Sequence, residues 1–426
     1  MSGAARLDVM NFLNEAAGNY PSAISFASGR PSERFFRLAE WMDALPDFLG
    51  HFGARLSVDV GKAANLLAQY GATNGIVNDL IARQLANDEK ISCDPGQIVV
   101  TTGCQEAIAL CLRTFCRHED DIILVRSPSY IGITGAALTN GVAELPFACP
   151  DVADMAAALR HAIAEAETRG KHPRLLYLVP DFDNPTATVL PRHVRSEIIG
   201  LCAEKRIVVL EDNPYGMFRF AGERVPTMYE LDTRGCVVYL GTYSKTLCPA
   251  LRVGFAVVPP ALFGDAAQSH AAIARLSQEK SFGTVNTSQI SQAIVGGVLI
   301  AKDCSLLQHI APAIALYRDN HAEMQRCLES TFADRRDCIA WNEPEGGFFL
   351  IVNLPFRFAK EEAEICARDY GVIVMPLSFF AYDDGCDCQV RLAFSNVARD
   401  DIAKGVARFA KFVEDRLRGE TALHAA

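Results

Sequence analysis

Lys245 and Arg252 stand seven residues apart, each beside an apolar run: residues 237–240 lie before the lysine and residues 255–258 follow the arginine. The first run reads as a buried strand, and Gly241 punctuates its end. A lysine in the loop after a strand of an α/β sheet lies where such sheets bind ligands. Partial desolvation there lowers an amine's pKa towards nucleophilic use. The competing reading is an ordinary surface lysine, because most lysines are exposed. Taken alone, Lys245 does not choose between the two.

Polar groups follow an apolar run at four more places. Thr102, Gly103, Cys104 and Gln105 follow the run 98–100 and open a helix over 104–116. The free N–H groups and dipole of that helix make an anion site, with a plain tight turn as the alternative. Tyr130 follows Ser127, Pro128 and Ser129 after the run 122–125, as an aromatic face in the crevice or a structural tyrosine. Asn184, Pro185 and Thr186 follow the run 175–179, as an amide donor or a simple turn. Asp212, Asn213, Pro214 and Tyr215 follow the run 207–210, where Asp212 is a functional carboxylate or a helix cap. Five successive strand ends thus offer an anion site, an aromatic ring, an amide, a carboxylate with a tyrosine, and a lysine with an arginine. No metal-binding spacing of histidines, nucleophile elbow or phosphate-binding P-loop competes with this set. The chemistry that uses it is that of pyridoxal 5′-phosphate: a lysine holds the aldehyde as a Schiff base, an acid keeps the ring nitrogen protonated, and donors anchor the phosphate.

The elements that must position these groups alternate. Apolar strands at 98–100, 122–125, 175–179, 207–210, 237–240 and 255–258 are interleaved with helices at 104–116, after 131, at 155–167 and at 192–205. Continuous apolar strands alternating with helices predict an α/β, doubly wound, mostly parallel sheet covered on both faces. Before it, residues 11–36 read as an arm or loop, and 76–85 as an amphipathic helix with Asp79 and Arg83 outward. After residue 258 the pattern turns helical, with one long helix at 306–328 interrupted near its start by Pro312. Strands at 348–352, 372–374 and 390–394, with helices at 360–369 and 400–418, predict a smaller α+β domain, and 419–426 a frayed tail. The expected division is 1–50 as an amino-terminal arm and part of the small domain, 51–300 as the large domain, and 301–426 as the interdomain helix and small domain.

A chain of 426 residues, 50% hydrophobic and 22% charged, has the composition of a globular protein long enough for two domains. Its net charge of -10 argues against a general nucleic-acid or anionic-membrane surface, so a phosphate site must be local. The 14 cysteines lack paired spacing, and even the nearest pair, Cys386 and Cys388, lacks the second pair a zinc site needs, so reduced thiols and a cytoplasmic protein are expected. Residues 1–14 show no secretory pattern, and no apolar run approaches membrane-spanning length.

Together with Tyr70-Gly71 and the run Arg391 to Ser395, these motifs resemble the class I/II aminotransferases, nearest to the aminoadipate/kynurenine aminotransferase group, over about residues 24–409. The resemblance implies the pyridoxal phosphate-dependent transferase fold type I and transfer of an amino group from an L-amino acid to a 2-oxo acid. It implies that Lys245 forms the internal aldimine and later moves the proton between substrate Cα and cofactor C4′. Asp212 would pair with the ring nitrogen, Tyr215 and Asn184 would bond the phenolic oxygen, and Tyr130 would stack on the ring. Gly103, Cys104, Gln105, Thr242, Ser244 and Arg252 would hold the phosphate. Tyr70 would reach the phosphate of a neighbouring subunit, which makes a homodimer with shared sites. Arg391 would clamp the substrate α-carboxylate, helped by Asn184. Gly29 and Arg30 fall in the amino-terminal substrate loop. Arg30 stands where an apolar residue is common, so it either points into the side-chain pocket and favours a polar or acidic substrate or is simply exposed. Other departures are Cys104 for a common serine, Ala187 for a glycine after Asn184-Pro185-Thr186, and Leu377 for a glycine after Met375-Pro376, on a loop that often faces substrate. The same family chemistry also serves oxidation, elimination or replacement. A third reading is a regulator's effector domain, which would carry a basic winged-helix domain in front.

Overall fold

The computed structural model describes residues 18–424. The expectation for residues 1–14 lies outside them. A short strand β1 (Ile24–Ser25) precedes the main sheet, whose strands are β2 (Ile98–Thr101), β3 (Asp121–Ser127), β4 (Ala143–Ala148), β5 (His172–Leu178), β6 (Val208–Asp212), β7 (Val237–Thr242) and β8 (Gly254–Val257). They lie in the order β2-β8-β7-β6-β5-β3-β4. All neighbours run parallel except β8, which is antiparallel to both β2 and β7. The central strands are buried along their length, as their unbroken apolar runs require when helices cover both faces. The mostly parallel sheet expected from the sequence is therefore present, with six of its seven strands foreseen. The seventh, β4, is an edge strand with Glu144 and Pro146 in it and residues exposed at both ends. Edge strands tolerate proline and charge, which erased the apolar signature.

Beyond β8 come the helices Ala266–Gly283, Gln289–Ala301 and Leu307–Phe332, the last carrying Pro312 in its second turn. A second sheet joins β9 (Ala340–Trp341), β10 (Phe349–Asn353), β12 (Met375–Pro376) and β13 (Gln389–Ala393) in the antiparallel order β12-β13-β10-β9. Between them β11 (Val372–Ile373) pairs in parallel with β1. Phe26 N–H donates to Ile373 O at 2.8 Å and Ala393 N–H to Phe26 O at 2.7 Å, so the amino-terminal loop is stitched onto this sheet. The segment 419–424, expected to fray, instead continues the helix Arg399–His424. A single glycine at 419 costs a helix only about 1 kcal/mol and does not end it.

Candidate active site

A cavity of about 360 Å³ opens at the carboxyl ends of the parallel strands, closed from the other side by β10, β13 and the loop 27–30. Thirteen of the fifteen residues singled out in the sequence line it: Gly29, Arg30, Cys104, Gln105, Tyr130, Asn184, Asp212, Tyr215, Thr242, Ser244, Lys245, Arg252 and Arg391. Gly103 supports the rim from behind. Tyr70 is not among them, standing 83% exposed in the turn after the helix Val60–Leu67.

Lys245 follows β7, half-buried, with its Nζ donating to Gly29 O at 3.2 Å. Burial pushes its pKa down to about 8, and the cations Arg391, Arg252 and Arg30 push the same way, while Asp212 opposes them. More of this amine is therefore uncharged near neutral pH than of an exposed lysine. Asp212 ends β6. Its Oδ2 accepts the Tyr177 hydroxyl at 2.6 Å, whereas its Oδ1 is buried without a partner. Burial raises this carboxyl to about 6, against the pull of hydrogen bonds from Tyr177 and the Cys104 thiol and of the Lys245 charge.

Gly103 caps the helix Cys104–Phe115 at φ 76 with no side chain over the helix end, which leaves the first amide N–H groups open. A Cβ at Gly103 would run into the Arg252 guanidinium, so only glycine lets this arginine close over the turn. Arg252 donates from Nη1 to Ser244 Oγ at 3.5 Å and from Nη2 to Thr102 O at 3.3 Å. Its own backbone is left-handed at φ 51, a conformation that costs an L-residue about 1–2 kcal/mol and tends to persist at functional sites. The Cys104 thiol donates to Gly241 O at 3.2 Å, and burial keeps it protonated. Gln105 donates to Gly132 O at 2.6 Å. Burial also pushes the Tyr130 hydroxyl up to about 12.

Arg391 projects from β13, 3% exposed, and lies between two rings, with its guanidinium carbon 4.2 Å from the Phe349 centroid and 4.9 Å from that of Phe380. Nη1 donates to Asn184 Oδ1 at 2.5 Å and Nη2 to Ala27 O at 2.8 Å, while Nε is buried without a partner. Asn184 spends its carbonyl on this arginine and keeps its amide for the cavity.

Tyr177, Phe349 and Phe380 were missed in the sequence. A tyrosine inside an aliphatic strand was the available signal for the first, because a buried hydroxyl needs a partner. Leu377 does not face the cavity: it is 2% exposed in the core, and Phe380 of the same turn Leu377–Phe380 takes that face. Ala187 adopts φ 59, so the glycine common at this position would remove a strain of about 1 kcal/mol.

Residues 22–409 match the family described as aminotransferase class I and II. The chain belongs to this family. Among its relatives is the (S)-3,5-dihydroxyphenylglycine transaminase of Amycolatopsis orientalis, 39% identical over 417 residues, covering 96% of this chain and 92% of the relative. The kynurenine aminotransferase of Pyrococcus horikoshii superposes with a TM-score of 0.80 at 26% identity, covering 96% and 95% of the two chains. The alpha-aminoadipate aminotransferase of Thermus thermophilus, solved with N-(5'-phosphopyridoxyl)-L-leucine, gives 0.77 at 26% identity and covers 98% of each. This aminotransferase moves an amino group from an amino acid to a 2-oxo acid, and its cofactor is pyridoxal 5′-phosphate. The cavity fits that cofactor at three points: the orphan Asp212 Oδ1 suits a protonated ring nitrogen, the glycine cradle with Arg252 suits a phosphate, and Lys245 suits an aldehyde.

Proposed function

We propose that Lys245 is the residue that carries the cofactor and then moves the substrate proton in an L-amino acid aminotransferase of the aminoadipate/kynurenine kind. The observation that carries this is the setting of its amine: one neutral carbonyl as partner, the free Asp212 oxygen on one side and Arg391 on the other. Bound in this cavity, pyridoxal phosphate supplies the electron sink that lets an amino acid lose its α-proton. Asp212 keeps the ring nitrogen protonated, and Tyr177 orients that carboxylate. Tyr130 would stack on the ring, and Tyr215 with the Asn184 amide would bond its phenolate oxygen. Thr242, Ser244, Arg252, Gln105 and the open amides after Gly103 hold the phosphate. Arg391, held between its two rings, would grip the α-carboxylate and turn the Cα–H bond towards Lys245, whose uncharged amine would take that proton.

A homodimer with sites at its interface belongs to the same reading. Its support is the exposure of Tyr70 at 83% and Ile290 at 52%, brought near one another because Gln289 bonds the Gln69 carbonyl, and of Phe282 at 84%. Cytoplasmic residence is supported by the 14 free cysteines. The large and small domains are taken as 51–300 and 301–426, with 1–50 joining the small one through β1.

The test uses the cofactor-loaded protein and a panel of L-amino acids. Donors convert the bound cofactor to its amine form, a 2-oxo acid restores it, and Lys245→Ala responds to neither. Oxygen uptake or ammonia release in place of keto acid-dependent return would instead mark an oxidase or a lyase. Failure to change the spectrum with any amino acid would leave the effector-domain reading.

A further inference from the structure

Of the four residues from Asp212 to Tyr215, three line the cavity and Asn213 does not. Its side chain turns instead into the wall beside β7, 7% exposed, against Glu89 and Tyr239. Both ends of the carboxamide are used there. Asn213 Oδ1 accepts the Gly216 N–H at 3.0 Å, while Nδ2 donates to Tyr239 Oη at 3.3 Å and to Glu89 Oε2 at 3.5 Å. A backbone amide can only donate, so the Gly216 bond settles which end is the oxygen.

The surroundings hold this clasp in place. Asn213 N–H donates to Leu240 O at 3.1 Å, which ties the residue to β7. A Cβ at Gly216 would strike Asn213 Oδ1, so the far side of the clasp requires a glycine. Glu89 ends the helix Asn78–Asp88 and is 6% exposed. Burial, with the charges of Asp181, Glu211 and Asp88, pushes its carboxyl up to about 8 against the pull of Arg224. It therefore offers Asn213 an acceptor while favouring its neutral form near pH 7.

What the clasp fixes is the turn Gly216–Phe218, which follows Tyr215 directly and closes on it, Phe218 N–H donating to Tyr215 O at 2.8 Å. The Tyr215 ring packs edge-on against Phe348 and Phe349, with centroids 5.1 and 5.8 Å away. Those rings confine it sideways. Its backbone is set by Asp212 at the end of β6 and by the clasped turn on the other side.

We infer that Asn213 is a positioning residue: by clasping the turn after Tyr215 and anchoring it to Glu89 and Tyr239, it sets where the Tyr215 hydroxyl meets the cofactor. The inference rests on the functional reading above, in which that hydroxyl bonds the phenolate oxygen. Such a donor withdraws charge from the oxygen and loosens the proton on the nearby cofactor–lysine linkage.

The readout is the pH midpoint of the bound cofactor's absorbance change, taken beside the thermal midpoint of the same cofactor-loaded enzyme. Asn213→Ala is expected to raise the optical midpoint by about half a unit to one unit, the worth of one hydrogen bond, in the direction of Tyr215→Phe. The double variant moves no further than Tyr215→Phe alone, because both changes act through one hydroxyl. Gly216→Ala, which forces the clasp open, moves the midpoint the same way, and Glu89→Gln, which keeps an acceptor for the amide, leaves it in place. An unchanged optical midpoint with a lowered thermal midpoint in Asn213→Ala makes the residue merely structural and overturns the inference. So does an additive shift in the double variant, and either result leaves the transaminase standing. Where Asn213→Ala does not fold, Gly216→Ala decides on the same readout. No transfer from any amino acid by the cofactor-loaded wild type overturns both readings together.

Discussion

Lys245 and Lys280 are two lysines drawn out of solvent, and the regions that hold them treat the charge in opposite ways. Lys280, on the helix Ala266–Gly283, is 0% exposed, with Nζ 2.8 Å from Glu106 Oε2 and 3.0 Å from Thr284 Oγ1. Burial alone would raise Glu106, but the hydrogen bonds from Lys280, the Thr102 N–H and Thr284 hold it below its ordinary value. Burial lowers Lys280 in turn, but the hydrogen bond and charge of Glu106 oppose it, and the pair braces the first turn of the helix Cys104–Phe115. Lys245 hydrogen-bonds one neutral carbonyl; burial, aided by three nearby cations and opposed by the Asp212 charge, loosens its proton. Burial makes a lysine structural where an acid has been buried with it, and reactive where none touches it.

The contrast can be broken most severely at Lys245. Lys245→Ala is expected to slow amino transfer at least about a thousandfold while the thermal midpoint moves little, measured by steady-state rates and calorimetry on the same preparation. Lys280→Met should do the reverse. It strands a buried carboxylate and costs about 3–5 kcal/mol in denaturant unfolding, and adding Glu106→Gln should recover part of this. A Lys280 variant as stable as wild type would remove the distinction.

Between these lies Tyr177→Phe. It takes the hydroxyl from Asp212, which raises that carboxyl's affinity for a proton, and cofactor affinity near neutral pH is expected to fall about tenfold by titration of the apoprotein. The smallest effect sharpens the lysine itself. Capture of the cofactor aldehyde needs the uncharged amine of Lys245, so its rate in the apoprotein should rise with pH through about 8 and level above it. Because the Arg30 charge helps to lower that pKa, Arg30→Leu should move the midpoint upward, which a pH series of capture rates would register. Glu106 has its own window. A carboxyl held below its ordinary 4.5 contributes stability that is complete above that pH and lost as pH falls below it, so the difference between wild type and Glu106→Gln should shrink in acid.

Local signals carried far in this chain. Gly103 stands just past β2, Gly241 just before the last residue of β7 and Pro185 in the loop after β5, and residues beside each line the cavity. Where a local signal was ambiguous, the surroundings decided it: the Leu377 turn buries its first residue and offers Phe380, and the edge strand Ala143–Ala148 hid behind its own polar residues. Tyr70, read as reaching the phosphate of a neighbouring subunit, stands exposed and takes no place in the cavity of its own chain.

By itself, then, the sequence determined the alternation of strand and helix, the mostly parallel sheet, and which polar groups stand just past the strands, because periodicity and turn chemistry are written within a few residues. Tertiary structure alone decided who meets whom: Arg391 with Asn184 across 207 residues, Lys280 with Glu106 across 174, and Asp212 with Tyr177 across 35. It also decided that, among the described residues, Lys245 hydrogen-bonds a carbonyl and no acid. Those outcomes depend on burial and on which charges are buried together, and neither is a property of any short stretch of chain.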